Sequence, residues 1–255
     1  MKKIFVDDIL LEIGIEVSLN GNVYNHLVKS LRVRINEKFI IGDNNKNEFV
    51  CIVKSITNKD IVLFIVEKAN DTRLNLPNIT LFFSILKGGN NDLIIQKCSE
   101  IGVSKFVPVI TKNTIIKLDE KNCKNKFNRW KEIAKEASSQ SNRLSIPDIN
   151  PIISFDEIVN YEEKDNKNNN DKLKLFGKIE ANQSSLKKLL KNNEKDIYIF
   201  IGPEGDITND EIKLLEDLGW IGISFHSNIL RSETASIYIC SSIFSFFVFK
   251  MWEDK

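Results

Sequence analysis

Hydrophobic and polar positions change their rhythm once along the chain. Over roughly the first seventy residues, short apolar runs alternate with turn residues: "IGIEVSL", "KFIIGD", "EFVCIVKSI" and "DIVLFIVE", with "NNKN" between the second and third. That spacing predicts a small β-rich, barrel-like unit. Inside it, Val23, Leu27 and Leu31 of "NVYNHLVKSLRVR" recur at helical intervals, and the same segment projects His26, Lys29, Arg32 and Arg34. The stretch "NDTRLNLPN", closed by Pro77, reads as a linker.

From Ile79 the apolar runs lose their polar alternation. "ITLFFSIL", "KFVPVI", "LKLFG", "DIYIFIG" and "GISF" read as strands, and "NDLIIQKCSEIG", "KFNRWKEIAKEASSQ", "NDEIKLLEDLG" and the C-terminal run as helices. Strands apolar on both faces need helices on either side, hence a parallel sheet. The expected division is a β-rich unit over residues 1–72 and an α/β unit over 73–255. "YEEKDNKNNNDK" has charge and asparagine but no periodicity, and is expected to be a surface loop. The final run, "ASIYICSSIFSFFVFKMW", is apolar nearly all round, yet it carries serines and is short for a membrane span, so a buried helix is expected.

Composition adds limits. A chain of 255 residues, 42% hydrophobic, can bury a large core and reads as a soluble globular protein. Acids interrupt the opening "MKKIFVDDIL" before any secretory pattern forms, which makes the cytoplasm the expected compartment. Four dispersed cysteines and two histidines give no metal-ligand spacing, so reduced structural thiols and no zinc site are expected. Neither a G-x-G-x-x-G after a strand nor a G-x-x-x-x-G-K-[ST] is present.

Charge matters once it is divided. The net +1 conceals +7 over residues 1–147 and −6 over 148–255, and residues 105–143 hold 10 basic against 4 acidic side chains. Either a solvated lysine-rich face or a phosphate-binding surface accounts for that cluster. In its helix, Phe127, Trp130, Ile133, Ala134 and Ala137 form an apolar stripe, with Arg129, Glu132, Glu136, Gln140 and Arg143 on the opposite side.

Candidate chemistry concentrates at two strand-to-helix junctions. In "IFIGPEGDITNDE", Gly202, Pro203, Glu204 and Gly205 follow a strand's carboxyl end, where ligands of open α/β sheets bind. Glycine permits close approach and positive φ, proline stiffens the turn, and Thr208 with Glu211 forms a capping box for the following helix. An ordinary turn would use the same residue types. In "SFHSNILRSETASIY", Arg231, Glu233 and Thr234 crowd between a strand and a buried helix, either as an ion pair or as functional groups.

Five segments in this order, "HLVKSLRVR", "LKGGNNDLIIQKCSEIGVSKFVPV", "RWKEIAKEASSQSNRLSIP", "FIGPEGD-x-T-x-x-E" and "ILRSETA", resemble the RsmE-type uridine-N3 methyltransferases of small-subunit (16S) ribosomal RNA, within the SPOUT superfamily. The resemblance covers nearly the whole chain. It implies a PUA-like N-terminal β-barrel for RNA and a C-terminal SPOUT-type α/β domain with a mostly parallel sheet and a deep trefoil knot, a topology otherwise almost absent from proteins. It further implies S-adenosylmethionine as cofactor and a homodimer formed through the knotted domain, with small-subunit ribosomal RNA, free or in the assembled 30S subunit, as partner. By motif position the cofactor would be held by Leu175, Phe176, Gly177, Ile201, Gly202, Pro203, Glu204, Gly205, Phe225, Ile229, Leu230, Arg231, Thr234 and Ala235. Glu233, then Glu204, are the candidates for taking the uracil proton, and Arg231 for stabilising charge on the base. RNA contacts are expected from His26, Arg32, Lys87, Gln96, Lys97, Arg129, Gln140 and Arg143. The chain departs from the family pattern at Asp206, where a second glycine is usual, and at Ser232, where threonine is usual.

Overall fold

The computed structural model describes residues 3–6, 9, 11–43, 47–69, 76–116, 119–143, 145–165, 172–178, 186–191, 194, 196–224 and 228–253. The chain separates into two compact units, Met1–Arg73 with Ser138–Ile146 and Leu74–Ala137 with Pro147–Lys255.

The first unit is a five-stranded curled sheet. Its strands are β1 (Lys3–Phe5), β2 (Glu16–Asn20), β3 (Lys38–Gly42), β4 (Glu48–Ile56) and β5 (Asp60–Lys68), in the order β1-β3-β4-β5-β2. Only β1 runs parallel to its neighbour. Period-two alternation explains the sheet: β2 buries Val17 and Leu19, and β5 buries Ile61, Leu63 and Ile65, against Phe39, Ile41, Cys51 and Val53. Two irregularities in the β4–β5 register, after Val50 and after Val53, bend this pair. The three-residue β1 was not legible in the sequence, being too short to display a period.

The expected helix near Val23 is shorter than its spacing suggested. Helix α1 (Gly21–Asn25) passes into a π-helical turn, His26–Ser30, and regular winding stops before Arg34. Leu27 is fully buried in the unit's core, while Arg32 is exposed and takes φ +50. Lys3 and Glu48 form a buried ion pair, with the Lys3 ammonium 4.5 Å from the centre of the Phe5 ring.

The second unit is built on a parallel sheet. Its strands are β6 (Asn78–Ser84), β7 (Lys105–Ile110), β8 (Asp148–Ile149), β9 (Ile153–Ser154), β10 (Leu173–Gly177), β11 (Asp196–Ile201) and β12 (Ile221–Ile223), ordered β12-β10-β11-β6-β7-β8, with β9 also on β7. Every pair is parallel. Pro108 explains why the outer neighbour of β7 comes in two pieces. The carbonyls of Ser104, Phe106 and Ile110 all accept from that side, so the next residue in the series, Pro108, faces it without an N–H to give. Strand β8 pairs before it and β9 after it.

Helices α2 (Asn90–Ile101), α3 (Glu120–Gln140), α4 (Glu157–Asp165), α5 (Leu186–Leu189), α6 (Asn209–Asp217) and α7 (Ser232–Glu253) connect or cover these strands. A core of Phe82, Val107, Tyr198, Phe200 and Trp220 includes Ile158 of α4 and Leu215 of α6. Helix α2 packs on α7, which also packs on β6 and β11, and Trp130 of α3 meets Phe83 at 5.9 Å between ring centres.

Three expectations are refined here. "YEEKD", expected in a loop, is the second half of α4, because Tyr161 packs edge-on against Phe82 at 5.2 Å; residues 166–171 lie outside the described residues. Helix α3 starts at Glu120 and stops at Gln140, so Arg143 lies beyond it rather than on its polar face. Helix α7 has the length and mean hydropathy (1.3 over Ser232–Lys250) of a membrane span, yet half of that window is buried within the protein. All four cysteines are free thiols, and Cys98 of α2 lies against Cys240 of α7.

Candidate active site

Three chain turns leave the same edge of the parallel sheet. Register places Leu175 beside Ile199 and Ile199 beside Leu81, while Gly177 pairs with Ile223 and Ile201 with Phe83. The carboxyl ends of β12, β10, β11 and β6 therefore stand side by side at about 4.8 Å per step. The carboxyl ends of β10, β11 and β12 span only about 10 Å of sheet edge, although over 40 residues separate Gly177 from Ile223 in sequence. Such an edge is where α/β sheets bind ligands.

The turn after β11 is the best defined. Asp206 donates its N–H to Pro203 O at 3.0 Å, closing a turn over Glu204 and Gly205. The left-handed step falls on Asp206 (φ +57), the residue that stands where the family usually has a second glycine. Asp206 tolerates the position because its Oδ1 accepts the Ile207 N–H at 2.8 Å. Gly202 serves close packing instead: a Cβ there would sit 3.2 Å from Ile207 Cγ2. Glu204 and Gly205, at the apex, have N–H groups that meet no protein acceptor among the described residues.

Behind the turn, the expected capping box is present. Glu211 accepts the Thr208 N–H at 2.8 Å, and Thr208 Oγ1 accepts the Glu211 N–H at 3.4 Å. The buried Glu211 carboxylate does more than the motif requires, since it also accepts the Lys112 N–H, at 2.8 Å, from the turn after β7. From that same turn, Asn113 Nδ2 donates to Gly205 O and Asp206 O, both at 3.0 Å. On the other flank, Lys87 donates its N–H to Glu204 Oε1 at 3.4 Å. The Lys87 turn is itself fixed by buried Asn91, which accepts from Leu86 N–H at 2.9 Å and donates to Ser84 O at 3.1 Å.

The turn after β12 leads into α7. Ile229 is 76% exposed, Leu230 is half-buried and Arg231 is exposed; Phe225 and His226 lie outside the described residues. Arg231 O accepts the Ala235 N–H at 2.8 Å and so starts the helix. The ion pair that the sequence allowed between Arg231 and Glu233 does not form among the described residues. Arg231 is exposed, whereas Glu233 is 8% exposed with an Oε2 that is buried and unpartnered. Glu194 Oε2 shares this state, so what sets Glu233 apart is its place at the start of α7, where a ligand proton would relieve it. Thr234 is exposed and Ala235 buried. At the floor, Leu175 and Phe176 are fully buried and Ile201 nearly so, leaving Gly177, half-buried, as the surface of β10's end.

Apolar floor, exposed Ile229, two unengaged apex amides and an unpartnered acid suit a ligand with a flat apolar part, hydrogen-bond acceptors and a cationic or acidic-proton centre.

The RNA-contact candidates divide between the units. His26 (half-buried), Arg32 (exposed), Gln140 (exposed) and Arg143 (half-buried) belong to the first; Lys87, Gln96, Lys97 and Arg129 belong to the second. Burial pushes the Arg143 guanidinium down to about 10, which leaves it charged at neutral pH. Arg129 Nε donates to Asp92 Oδ2 at 2.7 Å, and the same carboxylate takes the Trp130 Nε1–H at 3.0 Å. Lys97 pairs with Glu100 at 2.9 Å. Sequence reasoning passed over Asp92, Asn91, Lys112 and Asn113. For the last two, the only signal was a polar "TKNT" after a buried strand.

Residues 72–244 match the RNA methyltransferase domain family, and residues 19–67 match the RNA methyltransferase PUA domain. The chain is 33% identical to the ribosomal RNA small subunit methyltransferase E of Mesomycoplasma hyopneumoniae, over 87% of this chain and 90% of that one. To the protein of that name from Bacillus subtilis it is 28% identical, over 89% and 88%. The crystal structure of a ribosomal RNA small subunit methyltransferase E from Neisseria gonorrhoeae, bound to S-adenosyl methionine, superposes with a TM-score of 0.84 at 26% identity, covering 97% of this chain and 98% of that one. The turns at the sheet edge thus stand in a shared architecture, and the chain belongs to the RNA methyltransferase family that includes the ribosomal RNA small subunit methyltransferases E.

Proposed function

We propose that the protein methylates N3 of a uridine in small-subunit (16S) ribosomal RNA, using S-adenosylmethionine held by the turns after β10, β11 and β12. The observation that carries this reading is the buried, unpartnered Glu233 Oε2 at the start of α7, beside an exposed Arg231 that makes no ion pair with it among the described residues. When bound, S-adenosylmethionine supplies an electrophilic methyl group, and the protein's tasks are alignment and the imide proton.

Gly177, Gly202 to Gly205 and Ile229 to Arg231 shape the cofactor seat, with the Glu204 and Gly205 amides offered to its acceptors. Leu175, Phe176, Ile201, Pro203 and Ala235 support that seat from the buried side, and Thr234 borders it. Glu233 takes the N3 proton, with Glu204 as the alternative acceptor, while Arg231 balances charge developing on the uracil oxygens. Holding both reactants aligned supplies about 7 to 11 kcal/mol of barrier reduction.

Arg32, Lys87, Gln96, Lys97, Arg129, Gln140, Arg143 and His26 bind RNA, naked or within the 30S subunit, on either side of the boundary near residue 72. The C-terminal unit, tied in the trefoil knot that the sequence resemblance implies, pairs two copies in the cytoplasm. Tyr238 and Phe249 on α7, 40% and 60% exposed, offer the apolar surface for that contact.

The test is single-turnover methylation by Glu233→Gln after calorimetry has shown cofactor binding. Loss of a general base slows the step by about 10²- to 10⁴-fold. An unchanged rate removes Glu233 from that role, and nucleoside analysis showing methylation at ribose or at another base would replace the N3 assignment.

A further inference from the structure

We propose that Asn113, in the turn after β7, is a positioning residue for the cofactor loop, clamping Gly205 and Asp206 so that a side-chain-bearing residue can hold the loop's left-handed step. The inference rests on the S-adenosylmethionine site proposed above.

Asn113 belongs to neither strand nor helix and is exposed, so core packing does not account for it. Its one amide nitrogen has two protons, and both reach carbonyls of consecutive residues, Gly205 O and Asp206 O, at 3.0 Å each. Two bonds from one planar group onto adjacent peptides fix their mutual rotation, which a single bond would not. The residue between those peptides is Asp206 at φ +57, a conformation that most L-residues avoid and glycine adopts readily.

The clamp itself is anchored. The Thr111 N–H donates to Thr114 Oγ1 at 2.9 Å and the Thr114 N–H to Thr111 O at 3.1 Å, stiffening the turn that carries Asn113. The adjoining Lys112 N–H binds Glu211 Oε1 at 2.8 Å, so two successive residues of one turn grip both ends of the segment from Gly205 to Glu211. Gly205 lies directly against the clamp: a Cβ there would be in van der Waals contact with Asn113 Cβ at 3.4 Å. With the carbonyls of Gly205 and Asp206 held outward to Asn113, and the Asp206 N–H held to Pro203 O, the apex amides of Glu204 and Gly205 stay fixed for a ligand.

Because glycine adopts the left-handed step without help, dependence on Asn113 belongs to the residue at position 206. Calorimetric titration with S-adenosylmethionine should show Asn113→Ala binding about tenfold more weakly than the natural protein, ~1.4 kcal/mol. In an Asp206→Gly background, adding Asn113→Ala should weaken binding by only about twofold, a non-additivity that a merely structural residue would not produce. Asn113→Asp, which keeps the shape and removes both donors, should match Asn113→Ala and replaces it should that variant fold poorly.

Binding by Asn113→Ala within twofold of the natural protein overturns the proposal, as does the same tenfold loss in both backgrounds. Amide hydrogen exchange without cofactor separates the two readings. Faster exchange at Asp206 and Ile207 in Asn113→Ala is expected, and unchanged exchange sinks the clamp. Failure of the natural protein to bind S-adenosylmethionine sinks the proposed function instead.

Discussion

Replacing Glu211 by alanine tests how the edge of the sheet is built. This carboxylate is 7% exposed and accepts the Lys112 N–H at 2.8 Å, the Thr208 N–H at 2.8 Å and the Thr208 hydroxyl at 3.0 Å. Alanine leaves both backbone donors without their acceptor, while the threonine hydroxyl can turn to water. Hydrogen bonds to a charged group are worth about 1.5 to 3 kcal/mol each, and both donors are only part-buried, so the low end applies and the loss is about 3 kcal/mol. At roughly 2 to 4 °C per kcal/mol for a chain of this length, Tm falls by about 6 to 12 °C.

Glutamine at 211 keeps one accepting oxygen and places an amide nitrogen where the other stood. It therefore retains one of the two backbone bonds and should lose about half as much. Calorimetric unfolding at neutral pH and fixed protein concentration compares the three proteins. A drop below about 2 °C for alanine, less than a single bond of this kind is worth, would refute the account. So would equal losses for alanine and glutamine, since the effect would then come from charge rather than from the division of two oxygens between two turns.

Two further outcomes follow from exposure and pairing. Arg32 is exposed with no side-chain partner among the described residues, so Arg32→Ala should reduce the slope of log binding constant against log salt by about 1. Arg129→Ala should reduce it less, because Asp92 already engages that guanidinium at 2.7 Å; equal reductions in filter-binding titrations would contradict this. Among the thiols, half-buried Cys123 should be alkylated in the native protein near pH 8, and Cys51, Cys98 and Cys240 only after unfolding. Burial pushes Cys51 from 9.0 up to about 12, and a hydrogen bond with Cys240, together with burial, raises Cys98. The folded-state value being the higher, the neutral thiol's contribution to stability is complete below pH 9 and is lost as pH rises toward 12. Mass spectrometry of native protein showing Cys51 alkylated would count against its burial.

What the sequence determined by itself is what neighbouring residues decide. Thr208 and Glu211 are three positions apart, so their capping box needs only a helix start to form. The unbroken apolar run Ile197 to Ile201 could be stable only between other strands and under helices, and β11 lies between β10 and β6. The C-terminal run, expected to be a buried helix, is α7, and half of its apolar window is buried within the protein. The same local logic failed for "YEEKD", whose helix is held by Tyr161 packing on side chains from β6 and β11.

Only the tertiary structure decided the strand order, and with it the convergence of three turns at one sheet edge. Hydrophobic runs specify burial but not which partner lies on each side. It also put the left-handed step on Asp206, stopped α3 before Arg143, and left Arg231 and Glu233 unpaired among the described residues. The end of α3 is local, with Asn142 at φ +54 and the Arg143 N–H returning to Ser138 O at 3.0 Å, but the loop around Asp206 depends on Asn113, which lies 93 positions away in sequence and yet holds it directly. Backbone propensity acts over a few residues, while hydrogen bonds and packing between sequence-distant turns exist only after the sheet has brought them together.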